Sequence, residues 1–141
     1  MNKEKKDLLK KIQNTYCRLR ASKIEGVGIF AIRDIPKGIN PFYGVRKEKW
    51  IKFNKSEIEN LDESILEMVN SFFVVNKDGS VYMSDCGLHG MNVSYFLNHS
   101  KKPNVTTNKN GENFITLRKI KKGEELSVSY SIYAHNEKYK I

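Results

Sequence analysis

Between Arg18 and Gly44 no apolar run survives long enough to make a long helix. The stretch LRASKIEGVGIFAIRDIPKGINPFYG places Gly26, Gly28, Pro36, Gly38 and Pro41 between short apolar segments. That punctuation is the spacing of small strands joined by tight corners. With 141 residues the chain has one such texture and room for one core. At this length folding buries roughly 68% of the unfolded chain's surface, which suffices for one domain and not for two. The expected architecture is therefore mainly β with a few short helices.

Two segments break the pattern. Leu8, Leu9, Ile12 and Tyr16 recur at helical spacing among lysines, predicting a basic amphipathic helix within residues 1–17. Between Ser56 and Asn70 the period is again helical, with Ser56 and Glu59 placed as a capping box and Ile58, Leu61, Ile65, Met68 and Val69 on one face. Further on, SFFVVNKDGSVYM predicts a hairpin turning at Asp78-Gly79, and NVTTNKNGENFITLRKI a second turning at Asn110-Gly111. ELSVSYSIY is the last strand. Trp50 and Phe53 are expected as core anchors. The parts are thus an N-terminal extension over 1–17, a domain over 18–133 with a helical insertion at 45–70, and a tail over 134–141.

Charge is uneven. The first 20 residues carry 7 Lys+Arg against 2 Asp+Glu, or +5 of the total +9, while the remaining residues carry 18 − 14 = +4. A nucleic-acid contact by the N-terminus stays open, beside a solvated helix face. There is no run of about 18 apolar residues and no signal-peptide pattern. The expectation is a soluble intracellular protein, cytoplasmic or nuclear, with the chain as written its mature form and no membrane partner. Two cysteines, Cys17 and Cys86, make no disulfide scaffold.

Several chemical constellations are incomplete. Cys86 and His89 have the spacing of half a zinc site, without a second half at a familiar distance. Ser22, Ser84 or Ser100 with His99 and Asp85 lacks the strand-turn-helix elbow of a hydrolase. Gly26-Val27-Gly28 is too short for a dinucleotide fingerprint, and an apolar strand follows it where a helix N-terminus would be needed.

Taken together, SKIEGVGIFA, NVSYFLNHSKKPN and IKKGEELSVSY, in this order and spacing, resemble the SET-domain lysine methyltransferases. Lesser matches fall at Ile35-Pro36-Lys37-Gly38, Phe42-Tyr43-Gly44 and Asp85. The resemblance runs from about Arg18 to Tyr133. It implies small sheets in a β-clip-like fold with a knot-like C-terminal crossing, S-adenosylmethionine as methyl donor, and a protein lysine as acceptor, on a histone tail or another basic protein. Carried over by position, Gly26, Val27 and Gly28 form the loop at the cofactor's methionine end. Asn98 and His99 hold its amino and adenine ends, with Tyr95 joining the pocket. Tyr130 is the catalytic tyrosine, and Tyr43, Val128 and Tyr133 line the lysine channel.

The chemistry explains those residue types. The nucleophile is a neutral lysine amine, and a free lysine of pKa about 10.4 is neutral to only roughly one part in 2,500 at pH 7, a penalty of about 4.6 kcal/mol. An apolar channel beside a sulfonium lowers that pKa by desolvation and like charge. Alignment and dryness are what the protein must supply, and no metal enters.

The departures matter too. Lys101 follows Asn-His-Ser where many family members have a zinc-ligating cysteine, so the resemblance implies a minimal, stand-alone domain without zinc-binding flanks. SIYAHNEKYKI, through Tyr133 or Tyr139, or a second copy in a homodimer, is then left to close the channel. Ser129 stands where an aspartate is common and Tyr95 where an arginine is common. Val128 is small where Phe or Tyr often limits methyl number, which implies room for di- or trimethyllysine. The acidic set Glu57, Glu59, Asp62, Glu63 and Glu67 suits a basic peptide. The competing readings are a catalytically weak SET-like module holding a peptide or nucleic acid, and a basic nucleic-acid-binding β-domain.

Overall fold

In a computed structural model the protein is described over residues 1–107 and 113–132. Helix α1 spans Lys3–Gln13 and is capped by Asn2, whose Oδ1 accepts the Lys5 N–H at 2.9 Å. No residue of α1 is buried. Strands β1 (Cys17–Ala21) and β2 (Val27–Ala31) form an antiparallel hairpin in register from Cys17 opposite Ala31 to Ala21 opposite Val27. Then follow β3 (Trp50–Phe53), α2 (Lys55–Ile58), α3 (Glu63–Phe72) and β4 (Val81–Ser84). A 3-10 turn at Val93–Phe96 leads into β5 (Asn98–His99). β6 (Val105–Thr107), β7 (Phe114–Thr116), β8 (Glu125–Val128) and a 3-10 turn at Tyr130–Ile132 complete the order.

The central sheet has the order β1-β2-β8-β5. β8 runs antiparallel to β2 and parallel to β5, with Asn98 opposite Ser127 and His99 opposite Val128. Two small two-stranded sheets, β3-β4 and β6-β7, complete the expected mainly-β architecture with few short helices. One core under the central sheet contains Ile29, Ile35, Leu97, Val105, Leu126 and Val128. A second holds Ile58, Val69, Phe73, Val75 and Val81, and Trp50 and Phe53 pack on it as anchors. The Trp50 and Phe73 rings meet edge to face at 6.4 Å.

Two elements differ from expectation. The helix over Ser56–Asn70 is split, because Asp62 leaves helical geometry (φ −50°, ψ 140°) and caps a new start, accepting the Ser64 N–H at 2.9 Å. An aspartate followed by Ser64 two residues later offers the backbone a cap that outcompetes continuation. Asn54, not Ser56, occupies the N-cap position of α2. The Asp78-Gly79 turn forms, with Gly79 at φ +83° and the Asn76 N–H on the Ser80 carbonyl at 2.8 Å, but it joins only a single Val75–Val81 bridge. Phe72 is spent in α3, and β4 pairs along its length with β3 instead. The second hairpin pairs β6 with β7 as expected, and its Asn110-Gly111 turn lies outside the described residues. Among the described residues no helix is long and apolar enough to cross a membrane.

Candidate active site

The β1–β2 corner is built around one hydroxyl. Ser22 Oγ accepts the Ile24 N–H at 2.9 Å, and the Ser22 N–H reaches the Gly26 carbonyl at 2.7 Å. This closes a tight loop with Gly26 at φ +46°, a conformation costly to a residue with a Cβ. From β5, Asn98 reaches into the loop. Its Nδ2 lies 3.1 Å from Ser22 Oγ, 3.1 Å from the Glu25 carbonyl, 3.2 Å from the Val27 carbonyl and 3.0 Å from Glu125 Oε2. An amide has two hydrogens, so both are taken by this ring of acceptors, and Oδ1 is the atom of the amide that can accept. Ser22 Oγ also donates to the Glu125 carboxylate, 2.7 Å from Oε1. Gly28 is glycine for a steric reason: a Cβ there would sit 2.3 Å from Glu125 Oε2.

The other end of β8 delivers Tyr130. Its hydroxyl donates to the Leu97 carbonyl at 2.6 Å, and its backbone N–H donates to His99 Nδ1 at 3.0 Å. Accepting at Nδ1 assigns the neutral imidazole's proton to Nε2. The two rings lie 5.3 Å apart, tilted at 49°. Ser100 N–H on the Val128 carbonyl (3.0 Å) continues the same clamp. Beneath it Asn104, 3% exposed, donates through Nδ2 to the Glu125 carbonyl (2.9 Å) and accepts the Ser127 N–H at 2.8 Å. One edge of β8 is thereby held at two points by the Asn104 side chain.

The SET domain family matches residues 26–131, a span that contains Gly26–Gly28 of the loop, the β5 clamp and Tyr130. The chain belongs to the SET-domain family. Human and mouse histone-lysine N-methyltransferase 2D are each 29% identical to it over 136 residues, covering 91% of this chain. The chain spans about 2% of the length of these relatives. Among solved structures, a Plasmodium falciparum protein described as a histone methyltransferase superposes with a TM-score of 0.51 at 15% identity, over 82% of this chain and 93% of that one. A humanized Chaetomium thermophilum Polycomb Repressive Complex 2 bound to an inhibitor gives 0.57 at 24% identity, over 87% of this chain and 16% of that one. At these identities both show the fold.

Within this SET domain, Gly26, Val27, Gly28, Asn98, His99 and Tyr130 converge. Tyr95 takes its contacts elsewhere: its hydroxyl donates to Glu48 Oε2 at 2.8 Å, and its ring meets Phe73 edge-on at 6.2 Å. Burial first, and then the Glu48 carboxylate, push its phenol well above the usual range. Glu48 also accepts from Asn92 Nδ2 at 2.9 Å, so the position where an arginine is common belongs here to a neutral tyrosine facing an acid. Asp85 accepts the Lys49 N–H at 3.2 Å, the main cause holding its carboxyl below the usual range, and an Arg46 guanidinium at 3.3 Å. Tyr43 is exposed beside the Gly44 turn, outside every strand. Val128 is fully buried in the first core, a property shared by a dry channel wall and a core residue. Tyr133 and Tyr139 lie outside the described residues. Among the described residues no group of three or more His, Cys, Asp or Glu could hold a metal ion.

Sequence alone does not reveal the roles of three residues: Ser22, which it offers only as a hydrolase nucleophile, Asn104 and Glu125. Asn104 ends the quoted NHSKKPN and Glu125 sits in KGEEL, so the motif strings contained them without revealing their partners.

Proposed function

We propose that this SET domain is a protein-lysine N-methyltransferase using S-adenosylmethionine, acting on a lysine of a histone or another basic protein. The observation that carries this reading is the double hold on Tyr130. Its hydroxyl is fixed on the Leu97 carbonyl and its backbone on His99, one residue from the asparagine that ties down the glycine loop.

The residues present fit the cofactor. An added Cβ at Gly26 would meet nothing within 4 Å, so the outer side of the loop is open to a ligand. Asn98 Oδ1 is an acceptor suited to an ammonium group, and His99 Nε2 carries a proton to donate. S-adenosylmethionine supplies an electrophilic methyl group, which a neutral lysine amine displaces from sulfur. Tyr130 orients that amine and need not act as a base. Held on two sides, the tyrosine loses little freedom when the substrate arrives, which is the entropic part of the rate. Tyr43 and Tyr133 are the candidates for aromatic walls that exclude water and favour a methyl-lysine cation. Glu57, Glu59, Asp62, Glu63 and Glu67 are all exposed on the insertion, which suits a cationic substrate segment.

The test is transfer of radiolabelled methyl to core histones and to a mixed lysate. Tyr130→Phe is expected to lower transfer about 10²-fold by releasing the aligned hydroxyl. Asn98→Ala is expected to abolish cofactor binding together with transfer. Wild-type protein that neither transfers methyl nor binds the cofactor would overturn the reading and favour a SET-like binding module.

A further inference from the structure

β8 begins at Glu125, at the end opposite Tyr130, and the Glu125 carboxylate has an unusual setting. Ser22 Oγ reaches both its oxygens, at 2.7 and 2.9 Å, and Asn98 Nδ2 reaches Oε2 at 3.0 Å. Oε2 lies against the bare α-carbon of Gly28, in the space a Cβ would need. Every one of these partners is neutral. The ion pairs among the described residues join Arg46 to Asp85, Arg118 to Glu124 and Lys119 to Asp34, and none takes in Glu125. The adjacent Glu124 has its guanidinium at 2.9 Å, yet Glu125, half-buried in a chain of net charge +9, has none among the described residues.

Neutral donors satisfy a carboxylate's lone pairs but leave its charge uncompensated, and a partly desolvated charge is costly until an opposite one arrives. The carboxylate also decides which way the Asn98 amide faces. By drawing Nδ2 inward with the Glu25 and Val27 carbonyls, it leaves Oδ1 to the ligand. The negative charge therefore lies on the Nδ2 side of the amide and acts on a ligand at Oδ1 through that amide.

We propose that Glu125 is the counter-charge for the α-ammonium group at the methionine end of the cofactor, a positioning residue acting through Asn98 and the Ser22–Gly28 loop. This rests on the methyltransferase reading above. The ammonium is common to S-adenosylmethionine and S-adenosylhomocysteine and is missing from 5′-methylthioadenosine, which keeps the nucleoside and the thioether. Those three molecules separate a charge effect from general loop damage.

The experiment is calorimetric titration of the full chain with each of the three, for wild type and for Glu125→Gln. The amide is isosteric, so the fit against Gly28 is kept, and thermal unfolding checks that the fold is too. Glu125→Gln is expected to weaken both ammonium-bearing ligands about tenfold and to leave 5′-methylthioadenosine within twofold. In turnover the loss is expected to fall mainly on KM for the donor. Equal weakening of all three ligands would reduce Glu125 to loop scaffolding and overturn the proposal, as would no weakening at all. Wild type that binds none of the three would overturn the methyltransferase reading itself, a result distinct from either.

Discussion

The central sheet and the insertion are held together by different physics. In the sheet, the decisive contacts are polar clamps between residues far apart in the chain: Ser22 and Asn98 on Glu125, Asn104 on one edge of β8, Tyr130 on Leu97. In the second core, between the insertion and the segment after it, apolar packing dominates, with the Phe73 ring meeting Trp50 and Tyr95 edge to face beside Val69 and Val81. Polar clamps fix direction, since a hydrogen bond weakens steeply with angle, whereas apolar burial scales with area and tolerates sliding. A site that must present one hydroxyl and one amide at set positions is built from the first kind. A segment that only has to cover a sheet and offer a surface is built from the second.

The largest effect that tests this division is Phe73→Ala. Truncating a buried phenylalanine costs about 3–5 kcal/mol, read as a lowered urea midpoint. At temperatures where the variant stays folded, its affinity for S-adenosylhomocysteine is expected to stay within about twofold of wild type, because none of the polar clamps involves Phe73. A large loss of affinity would break the comparison. It would mean that the 3-10 turn at Val93–Phe96, where Tyr95 packs on one core and Phe96 on the other, transmits strain from the insertion to β5.

Asn104→Ala comes next and sharpens the comparison from the other side. It leaves the Glu125 carbonyl and the Ser127 N–H without their partners under the sheet, at about 1–3 kcal/mol for each buried group. The loss should appear in both stability and cofactor affinity, since the strand it releases carries Glu125 at one end and leads to Tyr130 at the other. Asn104→Asp separates the two groups, because the carboxylate still accepts the Ser127 N–H but donates nothing to Glu125. An Asn104→Ala protein that unfolds more easily but binds the cofactor normally would show that β5 alone suffices to place β8.

This difference also explains what the sequence revealed. The glycine loop, the Asn-His pair and the tyrosine were legible because they are short strings with fixed order. Ser22 and Glu125 were not, because a contact spanning 103 residues leaves no local period. The insertion's helicity was legible from its apolar repeat, but its division was not. Ser56 with Glu59 and Asp62 with Ser64 are both acceptable starts, and the choice is made by where Ile58 and Val69 must point to reach the second core. Tyr95 stands inside the string NVSYFLNHSKKPN, yet its ring follows the apolar side of the molecule while Asn98, three residues on, follows the polar side.

The smallest expected effect uses the two thiols, one in each region. Cys17 opens β1 and is buried in the first core, where burial pushes its thiol from 9.0 to about 11. Cys86 follows β4 in the region of Glu48 and Tyr95 and is only partly buried. A thiol raised in the folded state binds its proton after the unfolded chain has released it. The associated stability is therefore intact below about pH 9 and is lost as pH rises toward about 11. The expected loss is about 2 kcal/mol across that window, measured by urea unfolding, and Cys17→Ala should flatten it. Ellman's reagent on the native protein should titrate Cys86 promptly and Cys17 only as the central sheet opens. Prompt reaction of both thiols would mean that β1 frays at its Cys17 end, and the sheet's clamps would then protect only the strands that Asn98 and Asn104 touch.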